Sequence, residues 1–237
     1  MPSFENSVSV VVIGRNEGER LERCLHSVQR TPREWLREVI YVDSDSSDDS
    51  PNIAAAFGSK VIKLTHGPMT AARGRNAGWR STDAPYILFL DGDCELDAQF
   101  VARALPEFHD PAVAIVWGHL REMHPKASVY QLALALDWIY PFGDCEFCGG
   151  NALVRRVALE QSTGFDETLA GGEEPDLCHR IRKLGWRIRH IDAPMVLHDL
   201  GITSFKQYWS RAVKCGESYV LVNSRADHKL MTFWNTR

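Results

Sequence analysis

The chain has 237 residues, 44% hydrophobic and 24% charged, the balance of a globular protein long enough to bury a substantial core. Its net charge of −4 excludes a general nucleic-acid binder and gives no reason to expect avid binding to anionic membranes. Six scattered cysteines include one CxxC pair, Cys145 and Cys148, but no second pair or paired histidines complete a zinc site, and the compartment is read as cytosolic.

Met1-Pro2-Ser3-Phe4-Glu5 leads straight to a strand, so no signal peptide is expected, and the longest apolar stretch, 129–140, is too short to span a bilayer. The β-branched run 8–13 predicts strand one, followed by the loop Gly14-Arg15-Asn16-Glu17. Asn16 is expected to cap a helix, since Leu21, Cys24, Leu25 and Val28 recur at helical spacing. A second strand over 38–42 ends in the acidic stretch Asp43-Ser44-Asp45-Ser46-Ser47-Asp48-Asp49, which equally suits a cap and turn. A brief helix at 53–57 stops at Gly58, a third strand covers 60–64, and 69–79 reads as helix.

Residues 86–90 are a short run of large apolar side chains that ends abruptly in Asp91-Gly92-Asp93. Two carboxylates separated by glycine at the end of a buried strand can face one point. Mg²⁺ and Mn²⁺ take such oxygen ligands and keep positions open for substrate phosphates, although Asp-Gly is also ordinary turn chemistry. A helix at 98–105 and a strand at 112–117 follow. Strands alternating with helices through short loops imply parallel pairing, with ligands beyond the carboxyl ends of the strands, where both acidic stretches fall.

After Gly118 the pattern changes. Residues 127–138 read as an amphipathic helix, 139–148 as an aromatic loop, 152–154 as a strand after Gly149-Gly150-Asn151, and 156–161 as helix. Pro175 is expected at the first position of a helix with Leu177, Ile181 and Leu184 on one face and Gly185 at its end. Two short strands, 186–191 and 194–197, lead to His198, whose ring nitrogen suits a metal. A last helix over 204–222 carries Phe205, Tyr208, Trp209, Ala212 and Tyr219 along one side. That side is expected to pack on the domain, with a membrane or a partner as the alternatives.

Glu173, Glu174 and Asp176 surround the start of the Pro175 helix. Acids there complement the helix dipole, and clustered carboxylates also raise one another's pKa, which suits one of the three to act as a base. Arg73 and Arg75, in the run Arg73-Gly74-Arg75-Asn76, form a solvated face or a phosphate partner.

Taken in order, these segments resemble family 2 glycosyltransferases: 8–17 their opening strand, 38–48 their acidic second strand, Arg75-Asn76-Ala77-Gly78 their Ala-Arg-Asn-x-Gly segment with Gly74 replacing the alanine, Asp91-Gly92-Asp93 their Asp-x-Asp, and 172–180 their Gly-Glu-Asp-x-Asp-Leu element. The resemblance covers roughly 8–200. It implies a GT-A-type α/β fold, a mostly parallel sheet flanked by helices, in one domain, with about 1–118 binding the nucleotide sugar and an elaborated 119–237 binding the acceptor and supplying the base. It implies inverting transfer from a nucleoside-diphosphate sugar, with UDP expected, to a carbohydrate or lipid-linked acceptor, using Mn²⁺ or Mg²⁺ and no nucleic acid, in the cytoplasm or at its membrane face.

By carry-over, Asp43 and Glu17 meet base or ribose, Arg75 the diphosphate, and Ile13, Arg15, Asp91, Gly92 and Asn151 complete the donor site. Asp93 ligates the metal, with Asp91 and His198 as further candidates. The base falls to Glu174, where Asp is usual, or else to Glu173 or Asp176, and Ser44 stands where a second Asp is frequent. Aromatic residues of 138–147 and Trp186 are expected to select the acceptor, or else to be core. The rival readings are a nucleotidyltransferase, which would carry a glycine-rich, lysine-containing loop after the first strand, and a non-catalytic binding subunit.

Overall fold

The computed structural model describes Phe4 and residues 7–225, so the amino-terminal expectation rests largely on residues outside the described ones. β1 (Val8–Gly14), β2 (Leu36–Asp43), β3 (Lys60–Lys63) and β4 (Tyr86–Asp91) pair in parallel in the order β3-β2-β1-β4. They are joined by α1 (Glu19–Gln29), α2 (Ser50–Ala56) and α3 (Ala71–Arg80). β1 is buried throughout except at Gly14, as its unbroken β-branched run requires in a sheet covered on both faces.

The sheet continues through β5 (Cys94–Leu96), β6 (Val113–Glu122), β7 (Gly143–Cys145), β8 (Ala152–Arg155) and β9 (Arg187–His198). Beyond β4 the order is β8-β6-β9-β5, with β7 also on β9. β8 runs antiparallel to both β4 and β6, whereas β6 and β9 are parallel, so the architecture is mixed α/β with a mostly parallel sheet. The remaining helices are α4 (Phe100–Ala104), α5 (Val129–Ala135), α6 (Arg156–Gln161), α7 (Glu173–Lys183) and α8 (Phe205–Asn223). Among the described residues, no helix is long and apolar enough to cross a membrane.

Several local expectations need correction. Asn16 is not a cap: it takes φ 57°, and its side-chain oxygen accepts the Ser47 N–H at 2.8 Å, pinning the first loop to the acidic one, while Gly18 precedes the helix. Pro175 occupies the third position of α7, because Gly172 at φ 80° already turns the chain into the helix. The two short strands before His198 are one, β9, and the strand at 112–117 extends to Glu122; their mutual pairing spans Gly118 through register shifts. α8 does not bury its apolar side: Phe205 and Trp209 are exposed, and Val222 is its buried residue.

Candidate active site

The parallel strands end side by side. Gly14 of β1 pairs with Asp43 of β2, and Ile13 with Asp91 of β4, so both acidic strand ends flank the same tip. Asp43 is 2% exposed and accepts from the Tyr41 hydroxyl at 3.1 Å and the Ser46 N–H at 3.0 Å. The Gly92 N–H donates to the Ile13 carbonyl at 2.8 Å, folding Asp91-Gly92-Asp93 back over β1. A side chain at 92 would meet Glu17 Cγ at 3.0 Å, so glycine here lets Glu17 lie against the acidic turn. Burial raises the Glu17 carboxyl, as do Asp93 and Asp91, against Arg20, whose Nη2 lies 2.8 Å away. Ile13 is buried beneath this tip; the Arg15 side chain is exposed.

Arg75 of α3 ties strand end to late helix. Its Nη2 meets Asp91 Oδ1 at 2.9 Å, and its Nη1 meets Glu173 Oε1 at 2.7 Å and Glu174 Oε1 at 3.2 Å. The resemblance puts Arg75 beside a diphosphate; the structure sets it, 2% exposed, among three carboxylates, with its guanidinium 5.6 Å over the Phe165 ring. One buried cation shared by three acids leaves an excess of negative charge.

The three base candidates separate by geometry. Asp176, with its side chain 2% exposed, is bound by Arg180 at 2.8 Å and Arg225 at 3.5 Å. Glu173 is turned into the Arg75 contact with its side chain 7% exposed, whereas that of Glu174 keeps 20%. Burial and the neighbouring Glu173 raise the Glu174 carboxyl to about 7, against the pull of Arg75. A Cβ on Gly150 would lie 2.7 Å from Arg75 Nη2, 2.9 Å from Glu174 Oε1 and 3.1 Å from Asp91 Oδ2, so Gly150 is the floor of the cluster, while Gly149 lies against Leu120. Asn151, also buried, accepts the Asp91 N–H at 2.9 Å and donates to Cys94 Sγ at 3.5 Å; it holds the turn in place.

Asp93 faces the other way. Its Oδ2 lies 3.0 Å from His198 Nε2, the pairing being set by the β5–β9 register, in which Cys94 opposes His198. Burial opposes charge on both groups, yet their mutual hydrogen bond and attraction lower the Asp93 carboxyl and raise the His198 imidazole. With the Cys94 thiol these atoms lie within 4.8 Å of one another, the spacing of a cation site; Asp91, expected as a second ligand, is engaged by Arg75 instead. Carboxylate and imidazole suit Mn²⁺, whereas burial keeps Cys94 a neutral thiol and a poor ligand for a hard cation. Asp93 and His198 therefore fit a divalent metal.

Trp138 stacks on the His198 ring at 5.5 Å, bringing one of the expected acceptor aromatics to the site. Trp186 is instead engaged by Gln161 and Arg155, which do not belong to the cluster. Cys148 meets Cys178 at 3.5 Å between sulfurs, so the thiol beside Cys148 comes from α7 and not from the CxxC.

A family model described as Glycosyl transferase family 2 matches residues 9–162. The pre-mycofactocin glycosyltransferase of Mycobacterium tuberculosis is 30% identical over 207 residues, 81% of this chain and 42% of that protein. The O-antigen chain rhamnosyltransferase WbaN of Salmonella anatum is 24% identical over 232 residues, 90% of this chain and 72% of that one. The chain thus spans less than half the length of the former. In structure it is similar to the mannosyltransferase PcManGT of Pyrobaculum calidifontis, solved with GDP-Man and Mn²⁺ (TM-score 0.71, 20% identity, 93% of this chain and 64% of that one). It is also similar to the glucosyl-3-phosphoglycerate synthase of M. tuberculosis, solved with Mn²⁺, UDP and glucosyl-3-phosphoglycerate (TM-score 0.68, 18% identity, 92% and 80%). These are GT-A-type folds. With its family-wide match over the strands that end in Asp43 and Asp91, the chain belongs to glycosyl transferase family 2.

Proposed function

We propose that the chain transfers a sugar from a nucleoside-diphosphate sugar, a UDP-sugar, to an acceptor hydroxyl with inversion, in polysaccharide or glycoconjugate synthesis in the cytoplasm or at the cytoplasmic face of the membrane. Residues of about 1–118 hold the donor, and those of about 119–237 hold the acceptor and the base. The observation that carries this reading is the Asp91–Arg75–Glu174 chain of contacts, which joins the donor-side strand end to a partly open carboxylate.

Glu174 removes the acceptor hydroxyl's proton; the oxygen attacks the anomeric carbon as the bond to the diphosphate breaks in line. Arg75 and the floor at Gly150 orient Glu174, and positioning of both substrates supplies much of the acceleration. Glu17 and Asp43 meet the nucleoside, with Ile13, Arg15 and the Asn151-held Asp91-Gly92 turn completing the donor site. Asp93 and His198 would hold the cation, which when bound offsets charge on the departing diphosphate. The solved relatives' complexes with Mn²⁺, UDP and GDP-Man support a divalent cation and a nucleotide sugar here.

The test is hydrolysis of a panel of UDP- and GDP-sugars, with and without Mn²⁺, by wild type and Asp93→Ala. Turnover with a UDP-sugar that needs Mn²⁺ and is lost in the variant is expected. Turnover indifferent to both removes the metal role, and no turnover of any donor removes the transferase reading.

A further inference from the structure

α8 links the two sides of the candidate site. It starts soon after His198, beyond a linker whose buried Ile202 gives its carbonyl to the Ser128 hydroxyl at 2.6 Å. Its first turn meets α5, with the Tyr208 ring 5.5 Å from that of Tyr130. Its last turns pack on the loop ahead of Glu173 and Glu174: a side chain at Gly172 would meet Val222 Cγ2 at 2.7 Å, and one at Gly171 would strike the Ser218 hydroxyl. Arg225, just beyond the helix, holds Asp166 before the same loop at 2.5 Å. The helix thus runs from the metal candidates to the base candidates.

One face of α8 looks into that span. Tyr208, Arg211 and Ser218 are partly covered and Val222 is buried, and at 3.6 residues per turn the four share a side. With Tyr208 against α5, and Ser218 and Val222 against the approach to α7, Arg211 between them is turned inward. Burial and, from within reach, the Arg211 charge both oppose the proton on His198 that Asp93 nonetheless holds. Among the described residues no carboxylate pairs with the Arg211 guanidinium.

Charge decides what such a cation can do. The site gathers Glu17, Asp91, Asp93, Glu173 and Glu174, and other cations around it are already occupied: Arg75 by three carboxylates, Arg20 by Glu17 and Arg23 by Asp199. A diphosphate adds negative charge, and more develops on it as its bond to the sugar breaks. A divalent cation offsets part of that charge. A guanidinium with parallel N–H donors and no carboxylate to give up can offset more.

We propose that Arg211 grips the donor's diphosphate beside Asp93 and His198, in the role that the family resemblance gives to Arg75. The assignment rests on the nucleotide-sugar reading of the site.

The test is calorimetry on the 237-residue chain with Mn²⁺, UDP and GDP as probes. Arg211→Ala should weaken binding of whichever nucleotide wild type takes, in Mn²⁺, by about 10–100-fold, the loss of one charge-assisted contact. Arg211→Lys should restore part of it. Mn²⁺ alone should bind the alanine variant at least as tightly as wild type, since a neighbouring positive charge has gone, and the melt should hold because alanine suits a helix. The assignment falls if the folded variant binds the nucleotide as wild type does, or if Mn²⁺ alone is weakened as much. It falls too if the loss appears only when a sugar phosphate is titrated into the nucleotide-saturated protein, for the guanidinium then serves an acceptor. Wild type that binds neither nucleotide removes the donor reading itself, and the role of Arg211 with it.

Discussion

Glu174→Gln separates catalysis from stability, because the residue is expected to cost the fold what it gives the reaction. Its carboxyl is raised from 4.5 to about 7, so between those values the folded protein binds a proton that the unfolded chain has lost. Stability therefore falls as pH rises through that window and stays lowered above it. The difference corresponds to up to about 3 kcal/mol at pH 8. Glutamine keeps the shape and removes the charge, while Arg75 retains Asp91 and Glu173.

Thermal melts should put the Glu174→Gln midpoint about 6–12 °C above wild type at pH 8, and together with it at pH 4. The same variant should lose about 10²–10⁴ in kcat, and wild-type kcat should rise with pH through about 7. A variant that is less stable than wild type at pH 8, or whose stability difference does not shrink toward pH 4, or that retains kcat, refutes the reasoning.

The His198 proton that Asp93 holds must leave before the imidazole can ligate a cation, so calorimetry should show tighter Mn²⁺ binding at pH 8 than at pH 6, with proton release; equal affinity at both would count against the pair as ligands. Arg75→Met strands three carboxylates around an apolar side chain and should cost about 3–5 kcal/mol, read as a lower urea midpoint. Gly150→Ala pushes a methyl group onto Arg75 and Glu174 and should lower kcat by about 10²-fold with the melt nearly unchanged; full activity would show that the floor tolerates displacement.

The amino-terminal half was legible because its strands obey a local rule. β1 and β4 are continuous apolar runs with acid or glycine at their ends, and parallel strands buried on both faces demand that composition. The late half was less legible because its decisive contacts are between distant segments. Nothing near Arg75 in the chain announces that its partners are Asp91, Glu173 and Glu174, since a cation in a helix reads as a solvated face until the fold surrounds it. Gly150, the second glycine of the doublet, was the available signal for the cluster floor, and only the side chains converging on it give it that meaning. α8 misled for a related reason: a period of 3.6 reveals that a helix has an apolar side, not what covers it.

His198 reaches Asp93 from the last residue of a strand. Because Cys94 opposes His198 in the β5–β9 ladder and the Asp199 N–H donates to the Asp93 carbonyl at 3.0 Å, backbone hydrogen bonds fix the two proposed ligands relative to each other without a cation. Slipping the ladder by one residue would turn the imidazole to the opposite face of the sheet. On the proposed metal role, loading such a ready-made pair orders no further backbone, so the rise in melting temperature with added Mn²⁺ should follow simple saturation of a rigid receptor, without the extra heat-capacity change of coupled folding.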